Sequence, residues 1–184
     1  RRDGPVATQQ KETVVMEAMM DLRMYIRDIP DFPSAGILFK DITPLLEAPE
    51  AFHAVIEKLT QNYADSSVEA VVAIEARGFL FGAALAYRLK VPLVLIRKEG
   101  KLPAETTSVT YSLEYGSDTL EMHKDSITRG QRVVIIDDVL ATGGTLKAAV
   151  ELLEDAGAIV QSVAVLIELA ELGGRWRLQP RDIF

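Results

Sequence analysis

The sequence predicts an α/β fold: an open, mostly parallel twisted sheet flanked by helices, with a β-hairpin set outside it as a flap. Three observations carry that expectation. From Ala70 onward, short apolar runs alternate with helical stretches, and such alternation builds βαβ units around a parallel sheet. The turns after those runs are charged or glycine-rich, and the carboxyl edge of an open sheet is where ligands bind. One segment breaks the rhythm: Val109, Tyr111, Leu113 and Tyr115 alternate with polar residues, Gly116-Ser117 marks a turn, and Leu120 and Met122 alternate again, as in a hairpin.

The totals narrow the classes. A chain of 184 residues fits one domain of the usual roughly 100–200 residues. Its 20 Lys+Arg and 27 Asp+Glu give a net charge of −7, which argues against a nucleic-acid partner held on a broad basic face but not against a local basic site. With no Cys, and with His53 and His123 as the two histidines, disulfides, thiolate zinc sites, Fe–S clusters, a cysteine nucleophile and a multi-histidine cage are removed together. Both histidines read as structural or surface residues. The longest apolar stretch, residues 71–86, is interrupted by Glu75 and Arg77, well short of the roughly 20 apolar residues of a membrane span. No membrane partner and a cytoplasmic address are therefore expected.

Taken in order, residues 1–12 are polar and aperiodic and lack the apolar core of a signal peptide, so they read as a flexible leader, native or added, to a single domain over 13–184. Val15, Ala18, Met19, Leu22, Ile26 and Ile29 recur at helical spacing until Pro30, which predicts an amphipathic helix. The stretch DIPDFPSAGILFKDITPLL, punctuated by Pro30, Pro33, Gly36 and Pro44, predicts a structured loop. Pro49 suits a first helical turn, and Phe52, Val55, Ile56, Leu59 and Tyr63 then share one face. Strands follow at 70–74, 93–96, 133–136 and 162–167, with helices at 78–89 and 144–156. The G-x-x-x-G of Gly78 and Gly82 reads as a close helix–sheet packing contact.

The chemistry gathers after the strands. Thr142-Gly143-Gly144-Thr145 sets two hydroxyls and two unhindered backbone amides at a helix N-terminus, an anion cradle that the helix dipole reinforces. It lacks the Gly-Lys-Ser/Thr of a Walker loop, and no G-x-G-x-x-G occurs, so ATP hydrolysis and dinucleotide binding recede. Asp137 and Asp138 end the preceding strand, and two carboxylates beside a phosphate need donors, which vicinal ribose hydroxyls supply. VVIIDDVLATGGT as a unit describes a site for a 5-phosphorylated ribose; each half alone is also what a helix cap and a tight turn look like. Arg97, Lys98 and Lys101, three bases against Glu99, read either as a solvated loop or, given Gly100 and Pro103, as a mobile loop that closes on phosphate. Glu114 shares a face with Ser112, opposite Leu113 and Tyr115, which by composition alone makes it a solvent-facing strand residue.

VVIIDDVLATGGT resembles the 5-phosphoribosyl-1-diphosphate (PRPP) motif of the type I phosphoribosyltransferases. DFPSAGILFKDITPLL, EARGFLFGAALA, LIRKEGKLP and YSLEYG are similar to the adenine-specific branch of that family. The resemblance implies the type I phosphoribosyltransferase fold, with an N-terminal hood at about 28–46 and a catalytic core at about 47–170. It implies a purine-salvage transferase, likewise a homodimer, that converts adenine and PRPP into AMP and pyrophosphate. By the same resemblance Asp137 and Asp138 take the ribose hydroxyls, and Ala141, Thr142, Gly143, Gly144 and Thr145 surround the 5′-phosphate. Glu75, Ala76 and Arg77 lie beside the pyrophosphate, with a cis Glu75–Ala76 bond aiming a backbone N–H at it. Arg97, Lys98 and Lys101 carry the leaving group's charge, one of them extending to a second subunit's site. Adenine packs between Phe39 and Leu169 and is read by backbone groups of Leu38 and Lys40, the latter standing where the family often has Arg. Glu114 serves adenine N7 as general acid/base, and Tyr115 helps close the flap. Mg²⁺ rides on PRPP and pyrophosphate oxygens rather than in a protein cage.

Two other readings differ in what they require. The first is a sibling transferase for hypoxanthine, guanine or orotate; a 6-oxopurine enzyme is expected to place a lysine near the last strand for the exocyclic oxygen, where this chain has Glu168-Leu169. A PRPP-sensing regulator requires a basic face and a nucleic-acid-binding extension, and neither is in the sequence.

Overall fold

The structure is a computed structural model that describes residues 20–112 and 116–184. The chain divides into two compact units after Lys58.

In the first unit, Leu22–Tyr25 is a single 3₁₀ turn whose N-cap, Asp21, accepts the N–H of Arg23. The antiparallel pair β1 (Arg27–Pro30) and β2 (Leu38–Asp41) follows, with Ile29 opposite Phe39. The helix expected to run to Pro30 is thus replaced, from Leu22 on, by a turn and a strand; its earlier positions lie outside the described residues. Pro30 is the physical reason, because a proline pushes the residue before it, Ile29, into extended backbone, and the ladder with β2 then satisfies the strand. The expected loop likewise contains β2 and a short helix, α1 (Thr43–Glu47), with a proline in its first turn. Helix α2 (Pro49–Tyr63) forms as the Pro49 start and apolar face require, and the unit boundary falls within it.

The second unit holds β3 (Ala70–Ile74), α3 (Gly78–Leu89), β4 (Leu93–Lys98), β5 (Thr106–Ser112), β6 (Ser117–His123), β7 (Arg132–Leu140), α4 (Gly144–Asp155), β8 (Ile159–Glu168), α5 (Gly174–Arg177) and β9 (Asp182–Ile183). Its seven-stranded sheet has the order β5-β6-β4-β3-β7-β8-β9. The pairs among β4, β3, β7, β8 and β9 are parallel, and β6 runs antiparallel to β4 and β5. The hairpin is therefore not outside the sheet. Strand β4 continues two residues past Ile96, and β6 pairs with that extension through Arg97↔Glu121 and Lys98↔Leu120. Leu120 and Met122 are buried in the common core, so pairing with β4 covers an otherwise open strand edge and buries apolar surface.

The connections β3-α3-β4 and β7-α4-β8 leave the central β3/β7 pair in opposite directions. Right-handed crossovers then put α3 and α4 on opposite faces, and the strand order reverses between β3 and β7. Strand β3 is buried at every residue, which explains its uninterrupted apolar run. The G-x-x-x-G contact is real. A Cβ on Gly82 would lie 2.5 Å from that of Ala73, and one on Gly78 would lie 2.7 Å from the Ile136 carbonyl oxygen. Among the described residues no helix is long and apolar enough to cross a membrane.

Candidate active site

The switch point between β3 and β7 is where an open α/β sheet leaves a crevice for a ligand, and two of the expected site residues meet there. The turn after β3 carries Arg77, whose Nε lies 2.8 Å from Asp138 Oδ2. This is an ion pair by distance without the alignment of a hydrogen bond, since that oxygen has no hydrogen-bond partner. The Glu75–Ala76 peptide in the same turn is cis. Gly78, next along, lets α3 begin against β7: a Cβ there would also press on Asp137, 3.1 Å from Oδ1.

Strand β7 runs on to Leu140, so Asp137 and Asp138 sit inside it rather than at its end, with Asp137 opposite Val165 of β8. Pairing with β8 carries the strand on past the apolar run to Leu140. Asp138 is buried at 5% exposure. Burial raises its carboxyl above the usual range, with the Arg77 guanidinium pulling the other way. Asp137 accepts the N–H of Asp138 at 2.9 Å, and burial, then the charge of Asp138, push its carboxyl well above the usual range. Two carboxylates with raised affinity for protons are receptive to hydroxyl donors and to positive charge.

The basic loop after β4 is organised by Glu75. Its carboxylate accepts from Lys101 Nζ at 2.7 Å, from Arg97 Nη2 at 3.2 Å and Nε at 3.3 Å, and from the Lys98 N–H at 3.1 Å. Lys98 Nζ pairs instead with Asp118 of β6. Arg77 is thus apart from the other bases, and Glu75 faces cations rather than open solvent. Burial alone would raise the Glu75 carboxyl, but Lys101, Arg97 and the Lys98 N–H together hold it at about 2, below its ordinary 4.5. A carboxyl lowered on folding contributes stability above its unfolded value and loses it as pH falls toward the folded one. Between pH 4.5 and 2, melts of the wild type should therefore show a steeper fall in stability than those of Glu75→Gln, by up to one proton taken up on unfolding. Parallel curves across that range would exclude the effect.

The turn 141–143 leads into α4, with Gly143 as a left-handed N-cap at φ +82° and its carbonyl accepting from Lys147 at 2.9 Å. Ala141, Thr142, Gly143 and Gly144 share this turn, and Thr145 in the first turn of α4 shares a 3.2 Å hydrogen bond with the Tyr111 hydroxyl from β5. Gly174 of α5 seats the turn from below: a Cβ on it would lie 2.2 Å from the Ala141 carbonyl oxygen and 3.0 Å from Gly143 N. Leu169 directly follows β8 and donates its N–H to Leu140 at 2.8 Å.

In the first unit, Leu38, Phe39 and Lys40 lie on β2. Phe39 meets Phe32 edge to face at 5.1 Å, and Lys40 Nζ pairs with Asp28 at 2.6 Å. Glu114 and Tyr115 lie outside the described residues. Sequence reasoning did not find Tyr111, Asp118, Glu121 or Gly174. For Glu121 a signal was present, a single charge between Leu120 and Met122; Tyr111 and Gly174 act through contacts 30 or more positions away, which no local pattern encodes.

Comparison with known proteins agrees with this geometry. A family model described as "Phosphoribosyl transferase domain" matches residues 42–183. The adenine phosphoribosyltransferase of Carboxydothermus hydrogenoformans is 57% identical over 89% of this chain and 96% of its own length. Among solved structures, the adenine phosphoribosyltransferase of Thermoanaerobacter pseudethanolicus superposes with a TM-score of 0.86 at 55% identity, covering 89% of this chain and 95% of that one. The Saccharomyces cerevisiae enzyme, solved with an imino-altritol bisphosphate and adenine, does so at 0.85 and 39% identity, covering 92% and 98%. With a glycine turn at a helix start, paired carboxylates and a cationic loop following the strands of one sheet, and relatives of this closeness over nearly the whole length, the chain belongs to the phosphoribosyltransferase family, in its adenine phosphoribosyltransferase branch.

Proposed function

We propose that this chain carries out purine salvage by joining adenine to the 5-phosphoribosyl group of PRPP, giving AMP and pyrophosphate. The observation that carries the reading is the adjacent carboxylates of half-buried Asp137 and buried Asp138, on the strand that runs straight into the turn at the head of α4. In the proposed complex Asp137 and Asp138 accept from the ribose hydroxyls and favour the positive charge that develops on the sugar as C1′ loses its leaving group. The backbone amides of Ala141, Thr142, Gly143, Gly144 and Thr145, with the two threonine hydroxyls, hold the 5′-phosphate, and the dipole of α4 adds to that hold.

Charge growing on the departing pyrophosphate falls to Arg77, the backbone N–H of Ala76, and the bases Arg97, Lys98 and Lys101. These cations pair internally with Asp138, Glu75 and Asp118, so taking up the substrate is an exchange of carboxylate for phosphate partners. Glu75, which pairs with Arg97 and Lys101, is proposed to act beside the pyrophosphate as the holder of those two bases. Phe39, with the backbone groups of Leu38 and Lys40, is proposed for adenine, as is Leu169. Glu114 is proposed as general acid/base at adenine N7, with Tyr115 closing over the site.

Mg²⁺ fits as a passenger of the substrate. Among the described residues no three carboxylate or imidazole side chains converge to cage a metal, so its oxygens would come from PRPP, close to Asp137 and Asp138. Held there, the ion would supply charge neutralisation on the diphosphate. A homodimer in the cytoplasm is proposed on the family resemblance.

Supplying PRPP, Mg²⁺ and one nucleobase at a time, and following pyrophosphate release, tests the reading. Turnover is expected with adenine; turnover with hypoxanthine and none with adenine would overturn the base assignment. Glu114→Ala should lower kcat by about 10²–10⁴-fold, the usual contribution of a general acid/base. A kcat within a few-fold of wild type would remove Glu114 from that role.

A further inference from the structure

Glu121 is one of two buried charged residues among those described, at 5% exposure, and the proposed chemistry does not use it. It sits on β6, opposite Arg97 of β4 and Ser108 of β5. One oxygen, Oε1, accepts two successive backbone N–H groups, those of Lys101 and Leu102, each at 3.1 Å. A carboxylate placed in a core needs such donors, and here both come from the loop that carries the bases.

The same lysine is held at two further points. Its carbonyl accepts from Arg97 Nη1 at 2.9 Å, and its Nζ donates to Glu75 at 2.7 Å. The backbone of Lys101 is therefore tied to β6 and β4, while its ammonium is left on a pairing that a phosphate can replace. We propose that Glu121 is a positioning residue for pyrophosphate binding: it anchors the backbone of the basic loop at Lys101 and Leu102, so that Lys101 meets the pyrophosphate group without an ordering step. The inference rests on the proposed function, in which that loop takes the leaving group. An N–H to carboxylate bond belongs to the stronger class of hydrogen bonds, and a loop ordered before binding spends less of its interaction energy on being ordered.

The test compares Glu121→Leu, which keeps the volume and removes both acceptors, with Glu121→Gln, which keeps an acceptor oxygen. The probes are pyrophosphate with Mg²⁺, AMP, and exchange of the backbone amides. Glu121→Leu is expected to weaken pyrophosphate binding by about tenfold, to leave AMP affinity within about twofold, and to speed exchange at the Lys101 and Leu102 amides. Glu121→Gln should restore pyrophosphate affinity to within about threefold. In a Lys101→Ala background the further loss from Glu121→Leu should shrink, which a purely structural role would not produce.

Pyrophosphate affinity unchanged in Glu121→Leu, or AMP affinity falling equally, overturns the inference while the proposed function stands. A wild type that binds no pyrophosphate overturns both. If Glu121→Leu does not fold, the wild type still decides: Lys101 and Leu102 amides exchanging at the rate of an unstructured chain would overturn the anchor.

Discussion

Asp137→Asn is expected to raise the thermal stability of the ligand-free protein and to lower kcat/KM for PRPP by about two orders of magnitude. Asp137 carries a carboxyl raised well above its ordinary value, first by burial and then by the neighbouring Asp138 charge. The sign follows from linkage. A carboxyl raised on folding favours the folded state below its unfolded value and loses that contribution as pH rises through the folded one. At neutral pH, well above the ordinary carboxyl range, Asp137 therefore works against the ligand-free fold, because its burial and the Asp138 charge both disfavour the charged form that the unfolded chain holds freely. Asparagine removes the ionisable group, and its side-chain carbonyl can still accept the Asp138 N–H that Asp137 accepts at 2.9 Å. The gain in Tm should shrink as pH falls and the wild-type carboxyl takes its proton. A variant no more stable than wild type at pH 7–8, or one that keeps full activity, would contradict the account. Stability is here set against substrate capture, the pattern expected where a site is built for a ligand's hydroxyls.

Gly174→Ala should lower Tm by about 2–10 °C, equivalent to about 1–3 kcal/mol for overpacking in a chain of this size, and weaken AMP binding at least about tenfold. The added methyl would fall 2.2 Å from the Ala141 carbonyl oxygen, 2.7 Å from Leu140 Cδ1 and 3.0 Å from Gly143 N. Two of these three neighbours are backbone, which cannot swing aside as a side-chain tip can. Gly143 is equally committed from the other side, with positive φ and a Cβ position 2.8 Å from the Gly174 carbonyl oxygen. Nor is α5 free to retreat, since Arg175 donates to Glu168 through Nε at 2.9 Å and Nη2 at 2.6 Å, and to the Ile183 carbonyl at 3.2 Å. The turn proposed to hold the 5′-phosphate must move. Calorimetry with AMP and a melting curve check both effects, and unchanged AMP affinity would show that the turn does not depend on this contact.

What was legible in the sequence was whatever follows from local chemistry repeated at the right period. Strand β3 and helix α3 begin and end where apolar runs, Gly78 and the turn residues place them. The glycines of the 143–144 turn declare a helix start, and the motif around Asp137 and Asp138 carries the residue types that a phosphorylated ribose requires. Where local signals compete, reading failed. The helical spacing of Leu22, Ile26 and Ile29 lost to Pro30 and to a ladder with β2, because a short helix gains little from periodicity without a surface to bury.

Local chemistry along the chain dictates the sheet class, the order of the central strands and helices, and the residue types needed to bind a phosphorylated sugar, because each depends on neighbours within a few positions. The tertiary structure alone decided how the charges pair: Arg77 on Asp138, Arg97 and Lys101 on Glu75, Lys98 on Asp118. It also decided that the hairpin joins the sheet through β4, that Glu121 holds the basic loop, and that Gly174 supports the 141–143 turn. Pairing among charges and close approaches of backbone depend on distances across the fold, and residues 20 to 34 positions apart in the chain meet at about 3 Å only once the sheet has set its strand order.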